Sequence, residues 1–434
     1  MTTGPRIYNL FPLLAGTVQQ WGEHVPRIAH MKFNWIYLNP FHYPGFSGSL
    51  YAIKDYYRPH NLLVNGEQNI CKLIESFCQL AAEYDLSVIM DLVINHTSKD
   101  SLLVTQNPQW FRREADGSLY SPRAIDPADS RKITVWGDLA ELDYQTFSTR
   151  ESLISYFRNM ISYFIDCGIR GFRCDAAYQI PADVWKQLIG FARSKNKDVI
   201  FLAETLGCRI EETQLLRSAG FDYIFNSAKW WDLKSAWLLD QYESFRHIAP
   251  SIAFPESHDT NRLVVDLLEQ GITHKTLIER AYRLHYLRTA MFSTGVMIPM
   301  GYEFGFSRKL HVITTRQKDW EFPRFDLSSW ITAVNQLKSV TRVLNIEGPQ
   351  YLVHTRNPAV IGLVRRLNNN ESSWIMTYIN SDLLQSHEIE IQREGIDTDM
   401  NAYREVTPER TSITLHTGDT LTLTPGEARV FVNL

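Results

Sequence analysis

Short apolar segments alternate with helical segments between residues 7 and 300 of this 434-residue chain. The segments with strand composition cover residues 7–12, 34–38, 86–93, 169–175, 198–203, 222–225, 251–254 and 295–300. Residues 86–93 are apolar nearly throughout, which is typical of parallel strands buried on both faces. Eight strand–helix units joined by right-handed crossovers close into a (β/α)8 TIM barrel. We therefore predict an α/β chain with this barrel. A doubly wound open sheet is the alternative, although it usually has fewer strands.

Helical spacing fills the intervals between these strands. The predicted helices cover residues 17–31, 68–84, 150–166, 182–194, 210–219, 233–246, 260–293 and 326–343. The second of them is amphipathic, because five apolar side chains share one face: Ile70, Leu73, Ile74, Phe77 and Ala81.

Two regions depart from the alternation. Residues 97–149 are polar, contain several Pro and Gly and show little periodicity, so we predict a long insertion after the third strand. From residue 350 onward, short runs of alternating hydrophobicity predict an antiparallel β-sandwich. The predicted domains are the barrel at 1–96 and 150–345, the insertion at 97–149 and the sandwich at 346–434.

The composition argues against several classes of partner. A hydrophobic fraction of 44% and a charged fraction of 21% are typical of a soluble globular protein. The formal net charge of -4 gives no support for binding to nucleic acid or to an anionic membrane. No run of about 18 apolar residues predicts a transmembrane helix. We expect neither nucleic acid nor membrane as a partner, and the sequence specifies no oligomeric state.

The cysteines and the N-terminus bear on the compartment. Residues 1–6 lack the charged start and apolar run of a cleavable signal. The five cysteines are odd in number and have no zinc-like spacing, and Cys71 and Cys78 are interpreted as core residues of one helix. We expect a reduced, cytoplasmic protein. Export by a route that reads no N-terminal signal would leave the same sequence.

Charged and polar side chains gather at the predicted strand ends. In chain order they are Asp91, Asn95, His96, Arg173, Asp175, Glu204, His258 and Asp259. Because the C-terminal ends of barrel strands meet at one rim, we expect these groups to form one site. Positions 173 and 175 point to the same side of their strand, and a cation keeps a neighbouring carboxylate ionised, as a nucleophile requires. An isolated pair of this kind would instead be a structural salt bridge.

Four motifs at these strand ends resemble those of the α-amylase family (glycoside hydrolase family 13), which contains retaining glycosidases and transglycosylases. They are D-L-V-I-N-H at 91–96, G-F-R-C-D-A at 171–176, the glutamate of F-L-A-E-T at 201–205, and S-H-D at 257–259. The runs at 51–57 and 295–303 also resemble family segments. The resemblance covers the whole chain and implies the barrel, an inserted domain B after strand 3 and a C-terminal sandwich. It also implies a retaining enzyme that acts on α-1,4-glucans or malto-oligosaccharides through a covalent glycosyl-enzyme.

The resemblance further implies a role for each matching residue. Asp175 matches the nucleophile, Glu204 the general acid, and Asp259 the acid that stabilises the distorted transition state. The remaining matches are expected to contact substrate or support these acids: Arg173 beside the nucleophile, His96 and His258 as donors to the sugar, Tyr51 as a stacking platform, and Asp91 as a structural acid. Tyr178 and Trp230 do not match a family motif, and we name them as further candidates for substrate binding.

Cleavage of an acetal needs one protonated and one ionised carboxyl group. We expect Arg173 to lower the pKa of Asp175, and neighbouring negative charge to raise the pKa of Glu204. A retaining mechanism places the two carboxyl groups about 5–5.5 Å apart.

Two departures from the family pattern affect the acceptor and the metal. Many members carry Lys-His where this chain has Tyr178 and Gln179, which leaves acceptor preference open and weakens the case for a metal. Asn95 matches a frequent calcium ligand, but calcium needs several oxygen ligands. We therefore predict no cofactor, with a calcium ion at Asn95 as the weakly supported alternative. The acids of the insertion are interpreted as solvated loop residues: Asp116, Asp126, Asp129 and Asp138.

Four tryptophans near the predicted rim each allow two interpretations. Trp230 and Trp231 follow the sixth strand and either pack in the core or stack on a glucan. Trp110 and Trp136 lie in the insertion and allow the same two roles, with packing favoured.

Segments 48–57 and 254–262 are similar to those of the family's maltosyltransferases, which transfer the glycosyl unit to a sugar. A transferase is therefore the alternative to a hydrolase. A maltose-1-phosphate donor would need a basic pocket, for which Lys229 and Arg262 are candidates, although surface or salt-bridge roles are favoured for both. An inactive amylase-like binding protein is a third alternative. Such relatives typically lack one or more of the three acids, and this chain retains all of them.

Overall fold

The computed structural model of the chain describes residues 3–125, 131–367, 373–391 and 402–433. Its centre is a closed barrel of eight strands, and every pairing between neighbouring strands is parallel. The barrel strands, labelled β1 to β8 in chain order, are Arg6–Leu10, Trp35–Leu38, Ser87–Leu92, Gly171–Cys174, Ile200–Ala203, Tyr223–Phe225, Ser251–Ala253 and Gly295–Pro299. Each overlaps one predicted strand, so the predicted (β/α)8 barrel is confirmed and the open sheet is excluded.

Alternate side chains of the strands fill the inside of the barrel. One buried cluster consists of Ile7, Tyr37, Ile89, Leu202, Phe225, Ile252, Phe254 and Met297. Gly171 begins β4 below this cluster. A Cβ atom at Gly171 would lie 2.8 Å from Cγ1 of Ile89 and 3.1 Å from Cγ1 of Ile200. The missing side chain therefore allows the neighbouring isoleucines to pack across the base of the barrel.

Helices surround the barrel. Labelled α1 to α12 in chain order, they are Pro12–Ala15, Val18–Trp21, Val25–His30, Ile70–Glu83, Leu102–Gln106, Phe147–Asp166, Ala182–Lys195, Ile210–Gln214, Trp237–Phe245, Leu263–Glu269, Lys275–Phe292 and Ser328–Val340. The single helix predicted at 260–293 is two helices, because Gly271 has a φ of 81° and this left-handed conformation ends α10. Among the described residues, none of the helices combines the length and apolar character that crossing a membrane requires.

The region after β3 forms small two-stranded sheets and one short helix, α5. His96–Ser98 pairs with Leu139–Glu141, and Arg123–Ile125 pairs with Ile133–Val135. Regular barrel structure resumes at α6. This arrangement agrees with a predicted insertion, while the domain limits themselves remain predictions.

A separate antiparallel unit follows α12. Its strands, β9 to β16, are Gln350–Val353, Val360–Arg366, Trp374–Asn380, His387–Glu390, Ala402–Glu405, Thr414–His416, Thr420–Leu423 and Ala428–Asn433. Six of them form a sheet in the order β9-β10-β11-β16-β13-β14, and β12 pairs with β15. Side chains from both sheets, including Trp374, Leu421 and Phe431, share one core. The two sheets therefore pack on each other as the predicted sandwich requires.

A buried arginine of β10 joins this sandwich to the base of the barrel. Arg365 donates hydrogen bonds to the carbonyl of Phe292 at 3.0 Å and to Oγ1 of Thr294 at 2.7 Å. It also lies 3.4 Å from Glu347, whose carboxylate accepts a hydrogen bond from Oγ of Ser251 at 2.7 Å. The side chains of Arg365 and Glu347 are only 1% and 6% exposed. Removing one partner would leave the other charge buried and unpaired.

The cysteine prediction needs correction. Cys71 in α4 and Cys167 after α6 form a disulfide, with their Cα atoms 5.1 Å apart although 96 residues separate them in sequence. Cys78, Cys174 and Cys208 are free thiols. The expectation that all five cysteines are reduced is therefore wrong for one pair. The reason is that the fold brings the start of α4 next to the end of α6, which spacing along the chain does not reveal.

The joint between sandwich and barrel predicts the cost of losing Arg365. We expect Arg365→Met to lower the free energy of unfolding by about 3–5 kcal/mol, because Glu347 would remain buried without its cation. Urea denaturation followed by circular dichroism measures this change. Arg404→Met, on an exposed position of β13, is the matched control and should change stability by less than about 0.5 kcal/mol. Equal stability of the two variants would contradict the role given to Arg365.

Candidate active site

The register of the barrel strands brings the predicted site residues together. Arg173 of β4 lies directly opposite Asp91 of β3. Cys174 lies opposite Ala203 of β5, so the residues that follow them, Asp175 and Glu204, emerge at the same level of the rim. The peptide N–H of Glu204 continues the ladder by donating to the carbonyl of Cys174 at 3.1 Å. Two neighbouring parallel strands therefore deliver the two acids side by side, as predicted from the strand ends.

One guanidinium connects three of the acids. Nη1 of Arg173 lies 2.9 Å from Oδ1 of Asp91 and 2.6 Å from Oδ1 of Asp175, and Nη2 lies 3.9 Å from Oε2 of Glu204. The side chain of Arg173 is only 6% exposed, and those of Asp175 and Glu204 are 14% and 12% exposed. Charge-assisted hydrogen bonds of this kind are strong where water is largely excluded. Arg173 is therefore the cation that allows carboxylates to gather here.

Asp91 is buried beneath the other acids and is held by several donors. Its Oδ2 accepts hydrogen bonds from the hydroxyl groups of Tyr37 at 2.5 Å and Tyr51 at 2.7 Å. Asn39 donates to the hydroxyl of Tyr51 at 3.1 Å. Asp91 thus orients Arg173 from below, in agreement with its predicted structural role. Sequence reasoning missed Tyr37 and Asn39, although the alternation of β2 was a signal that Tyr37 points into the barrel.

Glu204 sits in an environment that favours its protonated form. Burial raises its pKa to about 7, the charge of Asp175 adds to this, and Arg173 opposes it. Its two oxygens accept hydrogen bonds from the peptide N–H groups of Ala176 and Leu206, each at 2.8 Å. The predicted direction of the shift is confirmed. Its largest cause is desolvation, whereas the sequence suggested neighbouring negative charge.

The pKa of Asp175 departs from the prediction. Burial raises it, and the adjacent Arg173 offsets only part of the effect. The predicted net lowering is therefore wrong, because desolvation of a carboxylate at the base of a cleft is large. The direct 2.6 Å hydrogen bond from Arg173 favours the ionised form of Asp175, whereas Glu204 lies 3.9 Å from the same guanidinium. The pair can hold one proton and one charge.

Asp259 is linked to the other acids through an aromatic pair. Nε2 of His258 lies 3.0 Å from Oδ2 of Asp259 and 2.7 Å from the hydroxyl of Tyr51. The rings of Tyr51 and His258 are parallel within 5°, with centroids 5.9 Å apart. Partial desolvation in the cleft acts to raise the pKa of Asp259, but His258, together with the charges of Arg173 and Lys309, lowers this pKa to about 2. With a side chain 58% exposed, Asp259 stays charged and open to the cleft.

His96 and Asn95 carry unused hydrogen-bonding atoms. No described residue makes a hydrogen bond of normal length and angle with Oδ1 of Asn95 or with either ring nitrogen of His96, and all three atoms are buried, while Nδ2 of Asn95 donates to Gln179 at 3.0 Å. Unpaired buried polar atoms beside a cleft indicate a place where a ligand completes the hydrogen bonding. The described residues contain no group of three His, Cys, Asp or Glu that could hold a metal ion. Two of the predicted loop acids, Asp126 and Asp129, lie outside the described residues, and the other two, Asp116 and Asp138, belong to no such group.

A cavity of about 580 Å³ lies beside the acids, on the side of the insertion. Tyr178 lies both in its wall and close to Glu204: burial and the charge of that carboxyl raise the pKa of Tyr178. The guanidinium groups of Arg112 and Arg123 lie 3.9 and 4.3 Å from the ring centroid of Tyr120 in the same wall. Of these residues, only Tyr178 was expected from the sequence.

The tryptophans divide between the two interpretations. Trp231 and Trp110 are buried in the core, 6% and 5% exposed. Trp230 is 51% and Trp136 40% exposed. The structure thus assigns packing to Trp231 and Trp110. Trp230 lies on the surface, with its ring centroid 6.1 Å from that of Phe254.

The two basic residues considered for a phosphate pocket are engaged elsewhere. Lys229 forms an ion pair with Asp266 at 2.9 Å, and Arg262 forms a buried ion pair with Glu256 at 2.8 Å. These contacts agree with the favoured salt-bridge roles.

Comparison with known sequences gives matches over parts of the chain. A family model described as the glucanotransferase domain of glycogen debranching enzyme matches residues 6–112. The alpha-1,4-glucan:maltose-1-phosphate maltosyltransferase of Burkholderia pseudomallei is 26% identical over 352 residues, which are 79% of this chain and 30% of that protein. The chain spans about a third of the length of this relative and of those from Picrophilus torridus and Chlorobaculum tepidum.

Solved structures match over the whole chain. An α-amylase from Lactobacillus plantarum superposes with a TM-score of 0.76 at 19% identity, covering 99% of both chains. An α-amylase from Geobacillus thermoleovorans, solved with acarbose, gives a TM-score of 0.79 at 16% identity and covers 100% of this chain and 99% of that one. These likenesses show a shared fold.

Proposed function

We propose that the chain is a retaining enzyme that acts on α-1,4-glucans or malto-oligosaccharides by double displacement. The observation that carries this proposal is the pairing of Asp175 and Glu204 around Arg173, with a pKa of about 7 at Glu204. Cleavage of a glycosidic bond with retention needs an ionised nucleophile and a protonated acid at one anomeric carbon. The names of the sequence relatives, which are glucan maltosyltransferases, support an α-glucan as substrate.

In the first step an oxygen of Asp175 attacks the anomeric carbon, while Glu204 gives its proton to the departing glycosidic oxygen. The result is a covalent glycosyl-enzyme and an ionised Glu204. In the second step Glu204 takes a proton from the incoming hydroxyl group, whose oxygen displaces Asp175. Both residues return to their starting states, so the cycle needs no cofactor.

The neighbouring groups would hold the sugar during these steps. The charged carboxylate of Asp259 is suited to accept hydrogen bonds from sugar hydroxyls, and the unpaired ring nitrogens of His96 to exchange hydrogen bonds with them. The half-buried ring of Tyr51 offers an apolar face, while its hydroxyl is occupied by Asp91 and His258. Interactions that tighten as the ring flattens would lower the barrier.

Transfer to a sugar is the second candidate for the second step. The sequence relatives are named as maltosyltransferases, and the matching family model as a glucanotransferase domain. The cavity lined by Tyr178 and Tyr120 has room for an acceptor, and Tyr178 is close to Glu204. An acceptor held there against water would direct the glycosyl unit to a sugar hydroxyl.

Conservative replacement of either acid tests the assignment. We expect Asp175→Asn and Glu204→Gln each to reduce kcat on maltoheptaose by at least about 100-fold, since each removes one half of the acid–nucleophile pair. With α-maltosyl fluoride, whose leaving group departs without a proton, Glu204→Gln should form the glycosyl-enzyme and Asp175→Asn should not. Intact mass spectrometry detects this species.

Matched surface variants serve as controls for that experiment. Asp198→Asn and Glu211→Gln change exposed acids and should keep the rate of the unmutated protein. Glu204→Gln should also be at least as stable as the unmutated protein at pH 8. A carboxyl with a raised pKa contributes stability that is lost as pH rises through about 7, and the amide avoids that loss. Near-normal rates in either acid variant would reject the assignment.

The pKa of Glu204 predicts the alkaline side of the pH profile. We expect kcat/KM to fall about tenfold per unit above pH 7, because the acid that protonates the leaving oxygen loses its proton there. The acidic limb should lie above pH 3.8, which is the ordinary pKa of an aspartate, because burial raises the pKa of Asp175. Initial rates between pH 4 and 9 at constant ionic strength measure both limbs of the coupled pair. A flat profile above pH 7 would contradict the role of Glu204.

The product profile separates hydrolysis from transfer. We expect maltoheptaose to yield shorter oligosaccharides together with longer ones, because the cavity beside Glu204 can hold an acceptor. Chromatography of products from maltose, maltoheptaose, trehalose and sucrose, with and without inorganic phosphate, also reports disaccharide and phosphate-linked activities. Shorter products alone would indicate a hydrolase. Binding of maltoheptaose without any product would favour the inactive binding protein.

A further inference from the structure

A second cavity, of about 450 Å³, lies away from the acids. Its walls come from α11, from residues 267–272 at and after the end of α10, from residues 231–233 after β6, and from residues 381–384 after β11. Much of the lining is aliphatic: Leu233, Leu267, Ile272, Leu284, Leu383 and Leu384. Its size is within the range of small-molecule sites.

Arg288 of α11 lines this cavity and is 5% exposed. Its guanidinium donates to the carbonyl of Trp231 at 3.3 Å and to Nδ1 of His285 at 3.1 Å, while Nε has no partner. The described residues therefore accept hydrogen bonds from two of its five N–H groups. No carboxylate of the described residues forms an ion pair with Arg288. Buried charges are normally paired, so this cation has an open position for an anion.

The two acids in the cavity wall do not fill that position. Asp382 accepts hydrogen bonds from the peptide N–H groups of Leu384 and Gln385 and pairs with His387 at 3.2 Å. Asp232 is bonded to the peptide N–H groups of its own turn and to the hydroxyl of Ser235. Each carboxylate is thus hydrogen-bonded within its own loop and forms no ion pair with Arg288.

His285 supplies a second donor. Because a guanidinium only donates, Nδ1 of His285 must accept the hydrogen bond from Arg288. Burial, with the nearby charges of Arg288 and Lys229, lowers the pKa of His285 well below its usual value, so the ring is neutral. The proton therefore sits on Nε2, which makes no hydrogen bond with any described residue. Arg288 and His285 together present donors suited to an oxyanion.

The wall is also conformationally unusual. Leu233 has a φ of 63°, a left-handed conformation that is uncommon for residues other than glycine. It follows Trp231, whose carbonyl Arg288 holds. Strained residues of this kind recur at ligand-binding positions.

We propose that this cavity binds a small amphipathic anion, with a carboxylate or phosphate group on Arg288 and His285 and an aliphatic body against the leucines. The site is independent of the proposed glycosidic chemistry. It lies next to the segment that carries Trp230 on the surface. A bound anion would therefore hold residues 231–233 in place.

Calorimetric titration of the full chain tests the proposal with four probes: hexyl phosphate, hexanoate, inorganic phosphate and hexanol. We expect saturable binding of at least one hexyl anion, at least about tenfold tighter than inorganic phosphate, since buried methylene groups add to the affinity. Hexanol, which lacks the charge, should bind at least about tenfold more weakly than that anion. Comparing the two anions identifies the preferred head group.

Three variants locate the binding. Arg288→Met removes the cation, and Leu384→Glu places a negative charge at a position 73% exposed, where it does not endanger folding. Each should weaken anion binding at least about tenfold. Arg283→Met is the matched control, because Arg283 lies on the same helix but pairs with Glu409; it should bind as the unmutated protein does.

Several results would overturn the proposal. They are no saturable binding of either hexyl anion, unchanged binding in Arg288→Met and Leu384→Glu, or displacement of the anion by maltoheptaose. If neither hexyl anion binds and Arg288→Met is less stable than the unmutated protein, the role of Arg288 is structural, through its hydrogen bond to the carbonyl of Trp231.

Discussion

The guanidinium of Arg173 is the contact on which the rest of the cleft depends. It touches Asp91 and Asp175 and lies within 3.9 Å of Glu204, in a place where its own side chain is 6% exposed. Carboxylates so close together and so poorly solvated would repel one another and take up protons. One shared cation allows a charged and a protonated carboxyl group to stand on adjacent strands.

That arrangement in turn depends on the register of the barrel. Arg173 lies opposite Asp91 because β3 and β4 are parallel and pair at these residues. A shift by one residue would turn one of the two side chains out of the barrel and break the contact. Tyr37 secures the lower end of the network through its 2.5 Å hydrogen bond to Asp91. The strand register therefore fixes both the packing inside the barrel and the contacts between charged groups at its rim.

Three buried arginines illustrate how burial acts on charge in this fold. Arg173 is surrounded by acids, and Arg365 is paired with Glu347 and bonded to carbonyl groups at the base of the barrel. Arg288 has no carboxylate partner among the described residues and faces a cavity. Arg173 pairs with the acids of the candidate site, and Arg365 connects the sandwich to the barrel, so both buried charges have a structural explanation. The third differs from them in its missing counter-ion, which is the reason to look for a ligand there.

The sequence by itself determined the barrel, the sandwich and the positions of Asp175, Glu204 and Asp259, because hydrophobic periodicity and strand-end motifs are local patterns. Only the tertiary structure decided which residues meet. Cys71 bonds Cys167 across 96 residues, Trp231 is buried while Trp230 is exposed, and no carboxylate in the described part of the chain pairs with Arg288. The rise in the pKa of Asp175 is likewise a consequence of the tertiary structure. Desolvation depends on how completely the fold excludes water from a group, and the neighbouring residues in the sequence do not determine this.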